Sequence, residues 1–72
     1  MLKVGDKVIR SNKERSAVWR DFCRVRSIDP VGTYVVTYVD PDTLVMHLQG
    51  FTMVGSESPL NLNKSYFLKV KG

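Results

Sequence analysis

One cysteine, Cys23, and one histidine, His47, are all that these 72 residues hold of the side chains that most often staple small domains or bind metals. A lone cysteine excludes an intramolecular disulfide. One Cys and one His cannot close a structural zinc site, which takes four ligands, so no metal and no cofactor is expected. No apolar run approaches the ~18 residues of a membrane span. The opening Met1-Leu2-Lys3-Val4-Gly5-Asp6 lacks the apolar segment of a signal peptide. These absences predict a cytoplasmic protein in a reducing compartment, with no membrane partner. A start at Met1 suits a complete small protein or a domain cut at its own boundary. Glycine is also sparse and scattered, at Gly5, Gly32, Gly50, Gly55 and Gly72, so no glycine-rich phosphate loop exists.

Cations are missing from the middle of the chain. Residues 29–63 contain no Lys or Arg and four acids, Asp29, Asp40, Asp42 and Glu57. Residues 1–28 carry eight cations against three anions, and residues 64–72 add Lys64, Lys69 and Lys71. The formal charge of +4 is therefore concentrated at the two ends, which points to an anionic partner for part of the surface.

What is present suits one compact domain spanning residues 1–72. Hydrophobic residues make up 43% of the chain, too many for a disordered segment. A core this small supplies only ~3–5 kcal/mol, which leaves little for a strained catalytic cleft. No catalytic constellation stands out. The one dyad available, Cys23 with His47, reads more simply as a small core residue and a structural histidine. Asp40-Pro41-Asp42 reads as a turn with two acids, with a weak cation site as the alternative. An enzyme is not expected.

Short strands dominate the local pattern. Val4 to Arg10 reads as a turn feeding a strand, and Ser11 to Ser16 as an exposed loop or a short helical turn. In Phe22–Ile28 a period of two places Cys23, Val25 and Ser27 on a core face and Phe22, Arg24, Arg26 and Ile28 on the other. Asp29-Pro30-Val31-Gly32 is a turn, and Thr33–Val39 is the clearest strand, with Tyr34, Val36 and Tyr38 on one face. Residues 22–28 and 33–39 are thus expected to form a β-hairpin. Leu44–Leu48 and Phe51–Val54 read as two further strands. Ser58-Pro59-Leu60-Asn61 reads as a connector with a possible 3₁₀ turn. Tyr66–Val70 reads as a final edge strand, its Lys69 and Lys71 alternating with Leu68 and Val70. No helical stripe longer than two turns is evident.

Five or six short antiparallel strands in so short a chain predict a small barrel or a strongly bent sheet. The opening Val4-Gly5-Asp6-Lys7-Val8, the aromatic Trp19, the run Val25-x-x-Ile28-Asp29-x-x-Gly32-x-Tyr34-x-Val36 and a short turn before the final strand resemble the SH3-like small barrels, the Tudor and KOW group among them. The resemblance implies a mainly β, single SH3-like barrel that binds a partner, with its first and last strands side by side.

Two functions compete on the residues. Arg10, Lys13, Arg15, Arg20, Arg24 and Arg26 surround Trp19 and Phe22. Arginine forks bind phosphate and aromatic faces stack on bases, so these residues form a candidate DNA or RNA surface. Arg24 and Arg26, on one strand face, would stand ~7 Å apart, near the spacing of successive phosphates. Trp19 is equally a cap for the core. The alternative is a protein-binding adaptor or regulator, as in small bacterial or phage accessory proteins. It would dock on an acidic protein surface, or through Met46, Leu48, Phe51 and Met53 or an open strand edge. Apolar residues on both faces of 33–54 also allow a homo-oligomer. Exposure of those four apolar residues would favour a protein partner; their burial, together with clustering of the arginines, would favour nucleic acid.

Overall fold

The computed structural model describes residues 2–71; Met1 and Gly72 lie outside it. Five antiparallel strands form one sheet in the order β4-β3-β2-β1-β5, with one short helix packed against it. The strands are β1 (Lys7–Arg10), β2 (Thr33–Val39), β3 (Val45–Leu48), β4 (Leu62–Asn63) and β5 (Phe67–Lys69). The helix α1 is Ala17–Arg24.

β2 is central, as its β-branched and aromatic composition predicts. It pairs with β1 on one edge and β3 on the other. Inward residues alternate along it: Tyr34 and Val36 are buried, and Val8, Met46 and Leu48 meet them from the neighbouring strands. A bulge at Thr37 then breaks the alternation, because Val36 faces Leu48 while Tyr38 faces His47. The extra residue turns Tyr38 to the outer face, away from Tyr34 and Val36, contrary to the expected shared face. β1 and β5 are adjacent and antiparallel, as the resemblance implied. No pairing joins β4 to β5 among the described residues, but a single 3₁₀ turn, Lys64–Tyr66, connects the two outer strands.

The expected hairpin of 22–28 with 33–39 is not formed, because both edges of β2 are already occupied. Residues 17–24 are helical instead. Ser16 caps the helix by accepting the Trp19 backbone N–H at 3.2 Å. Trp19, Phe22 and Cys23 form the stripe that faces the core, at the i, i+3, i+4 spacing of a helix. Val25, expected in the core, lies exposed beyond the helix end. Arg24 and Arg26 therefore do not share a strand face.

The helix ends in a Schellman motif. Ile28 N–H donates to the Cys23 carbonyl and Ser27 N–H to the Arg24 carbonyl, each at 3.0 Å. Ser27 occupies the left-handed position at φ 57°, where glycine is the usual residue. Relief of left-handed strain, less the added chain entropy of glycine, predicts that Ser27→Gly stabilises the fold by about 0.5–1 kcal/mol. Denaturant unfolding followed by circular dichroism checks this; an unchanged or lower midpoint would refute it.

The strand expected at Phe51–Val54 shrinks to a single bridge, Thr52 opposite Pro59. Met53 N–H and Leu60 N–H donate across it at 3.0 Å each, but Pro59 has no N–H with which to extend a ladder. Pro59 thus sits in this bridge and not in a 3₁₀ turn. Gly50, at φ +87°, makes the turn that follows β3. That turn drives Phe51 into the core, where it is fully buried. The loop expected at 11–16 contains a 3₁₀ turn, Asn12–Glu14.

Candidate functional site

The candidate cations fall into two groups once the helix is in place. Arg20 and Arg24 lie one helical turn apart on the exposed side of α1, their Cβ atoms ~5–6 Å apart by helix geometry. Lys13 and Arg15 precede the helix and are exposed. Arg24 pairs with Asp21 at 2.5 Å, and both side chains remain largely in solvent, so the pair is weak and easily exchanged. Lys13, Arg15 and Arg20 make no ion pair among the described residues. Beside the helix a shallow groove is lined by Arg20, Arg24, Ser27, Asp29 and Pro30. Asp29 spends its Oδ1 on the Val31 N–H, closing the turn at 2.8 Å.

Arg10 and Arg26 belong to the second group, because packing occupies them. The Arg26 Nε donates to the Thr52 carbonyl and its Nη1 to the Phe22 carbonyl, both at 2.8 Å. Its guanidinium lies 4.0 Å over the Phe22 ring. Arg26 thus ties the helix end to the turn after β3. Arg10 is half-buried and stacks 4.3 Å over the Trp19 ring, with Tyr66 and Phe67 each at 5.1 Å. Its Nε donates to the Glu14 carbonyl at 3.0 Å. Burial draws its pKa below the ordinary arginine value, while Glu14 opposes that shift.

Trp19 is a core residue, only 4% exposed. It stacks on Phe22 and Phe51 and meets Tyr34 and Phe67 edge-on. Its Nε1 donates to the Pro30 carbonyl at 2.9 Å, which satisfies the one polar atom of the ring. It does not stand free as a stacking platform.

Of the four candidate protein-docking residues, Met46, Leu48 and Phe51 are buried, and Met53 alone is exposed. His47 faces outward beside Tyr38 and bonds Asn61 at 2.9 Å, while Cys23 is buried on the inner side. Cys23 and His47 are therefore split across the sheet and form no dyad. Burial also pushes the Cys23 thiol up, away from the thiolate. Asp40 accepts the Asp42 N–H at 2.9 Å, which gives Asp40-Pro41-Asp42 the geometry of a turn.

The β1–β5 edge gathers Lys7, Lys69 and Lys71 along a second groove. Lys69 pairs with Asp6 at 3.4 Å. The Lys3 backbone N–H and Lys69 hold the Asp6 carboxyl below its ordinary pKa. A separate aromatic cleft, which the sequence reading missed, is lined by Arg10, Val18, Trp19, Asn61, Asn63 and Tyr66. Its parts come from three segments, two of which are joined where Ser11 N–H donates to the Tyr66 carbonyl at 2.9 Å. No local pattern signals it.

No protein-family model, curated protein or solved structure matches this chain.

Tyr34 makes a pH prediction. Its hydroxyl donates to the Asp29 carbonyl at 2.5 Å, and burial pushes its pKa up to about 12. Because the folded value lies above the unfolded one, the contribution is complete below pH ~10 and lost as pH rises towards 12. Thermal midpoints should fall more steeply above about pH 10, where Tyr34 adds to the loss that the raised Cys23 thiol begins at lower pH. Tyr34→Phe should flatten that fall; an equal fall in the variant would assign it to other groups.

Proposed function

We propose that this protein is a non-catalytic, cytoplasmic, SH3-like small barrel that binds nucleic acid through Lys13, Arg15, Arg20 and Arg24. The order β4-β3-β2-β1-β5 supports the barrel, because one 3₁₀ turn between β4 and β5 brings the two sheet edges towards each other. Binding rests on one observation above all: Lys13, Arg15, Arg20 and Arg24 are all exposed within one short segment, while three of the four rival apolar residues are packed in the core. The helix holds Arg20 and Arg24 at a fixed spacing, and rigid placement lowers the entropy cost of meeting a phosphate backbone. Lys7, Lys69 and Lys71 add positive charge along the sheet edge, part of it offset by Asp6. Docking of a protein partner is the weaker reading, since only Met53 of its four residues is available.

Such binding is salt-dependent and weakly sequence-specific. Anisotropy titrations with labelled single-stranded and duplex oligonucleotides test it across salt concentrations. The double variant Arg20→Ala/Arg24→Ala should weaken binding about tenfold on every sequence and lower the salt slope by roughly 1–2. Affinity equal to the parent's would remove this face from the interface, and absence of binding even at low salt would remove the function.

A further inference from the structure

Arg10 is a half-buried guanidinium with no carboxylate in ion-pair range among the described residues. Its Nε is taken by the Glu14 carbonyl. Its Nη groups make no hydrogen bond among the described residues and are not fully buried. Arg10 lines the aromatic cleft, an open space of about 300 Å³ between the start of α1 and the β4–β5 turn. Tyr66 is 41% exposed and Val18 78% exposed at this cleft, leaving apolar surface beside the charge. Asn61 and Asn63 add polar groups. The Asn61 carboxamide oxygen is used by His47, and that of Asn63 by Ser65, which leaves two amide NH₂ groups as donors. No acidic side chain lines the cleft.

A cation, an aromatic face and amide donors in one concave site match an anion joined to a flat ring that carries acceptors. A nucleotide has that chemistry: phosphate for the guanidinium, a base for the apolar surface, base carbonyls for the amides. In a duplex the base faces are already stacked on their neighbours, so an unstacked base is required. We infer that this cleft holds one nucleotide of a single strand, making the protein selective for single-stranded over duplex nucleic acid. The inference rests on the nucleic-acid reading above and adds to it the strand state and the seat of one base. The strand would run from the cleft, which Ser16 also lines, past Arg15 and Lys13, one and three residues before it in sequence.

Trp19 is the only tryptophan and lies in the wall of the cleft, so its emission reports on occupancy. The protein would be titrated with oligo(dT) of about ten nucleotides and with a duplex of equal length, at low salt. The single strand should quench Trp19 and bind about tenfold tighter than the duplex, as one stacked base allows. Tyr66→Ala should weaken single-strand binding about tenfold and spare the duplex. Val18→Glu should do the same, because it places a carboxylate at the cleft; acid in the first helical turn is compatible with folding, which keeps this variant informative if Tyr66→Ala unfolds. Arg20→Ala/Arg24→Ala should weaken both ligands alike. Equal binding of strand and duplex with Trp19 unchanged would overturn the cleft while leaving the basic face intact. Binding of neither would overturn both. Quenching by an acidic peptide such as poly-glutamate, without quenching by oligo(dT), would hand the cleft to a protein partner and overturn the inference.

Discussion

Trp19→Ala should leave most of the chain unfolded at 25 °C. The indole is the hub of the aromatic layer, with Phe22 and Phe51 stacked 5.6 and 5.5 Å away and Tyr34 and Phe67 edge-on. Truncating a buried Trp costs about 3–5 kcal/mol in lost transfer energy and cavity formation. A core of this size supplies about 3–5 kcal/mol in total, so the loss equals the reserve. Arg10 would also lose its stacking partner, and the 29–32 turn would lose the bond from Nε1 to the Pro30 carbonyl. Trp19→Phe keeps a ring in the stack and loses that bond, for an expected cost of about 1–2 kcal/mol. Far-UV circular dichroism and denaturant midpoints separate the two variants. A parent-like midpoint for Trp19→Ala would mean that the aromatic layer does not hold the helix to the sheet.

Arg26→Ala should destabilise the fold by about 2–3 kcal/mol, a large effect for a single arginine at a position adjoining solvent. Two main-chain hydrogen bonds and the stack on Phe22 disappear together. The Thr52 and Phe22 carbonyls that it bridges belong to the turn after β3 and to the helix, which otherwise meet through the stacking of Phe51 on Trp19 and Phe22. Arg26→Lys should recover less than half of the loss, because an ammonium lacks the planar fork that reaches both carbonyls. Where Arg26→Ala remains folded, its nucleic-acid affinity should match the parent's. That result would separate Arg26 from Arg20 and Arg24, which are expected to change affinity and leave stability nearly unchanged. A drop in affinity with no drop in stability would return Arg26 to the interface.

Arginine roles were the least legible part of the sequence. Six cations between Arg10 and Arg26 look alike in a linear reading, yet Arg10 and Arg26 stack on aromatic rings while Lys13, Arg15, Arg20 and Arg24 face solvent. The distinction depends on which carbonyls and rings lie within reach. Those partners, Thr52 for Arg26 and Tyr66 and Phe67 for Arg10, are 26 to 57 positions away.

By itself the sequence determined what depends on neighbouring residues and on composition. The β-branched and aromatic run of Thr33–Val39 makes a strand in any context that offers partners, and it became the central one. Asp29-Pro30-Val31-Gly32 and Asp40-Pro41-Asp42 interrupt regular structure through their own turn chemistry. The cation-free middle and the basic ends are likewise matters of composition. Tertiary structure alone decided the state of residues 17–28. Their alternation fits a strand, while Trp19, Phe22, Cys23 and Arg26 fit a helical period equally well. Eight residues are too few for intrinsic propensity to choose between them. β1 and β3 already occupy both edges of β2, so a strand at 22–28 had no place beside it. The aromatic face formed by Tyr34, Phe51 and Phe67 could instead bury Trp19 from a helix. That burial fixed the helix, took Trp19 and two arginines into packing, and left Arg20 and Arg24 facing solvent.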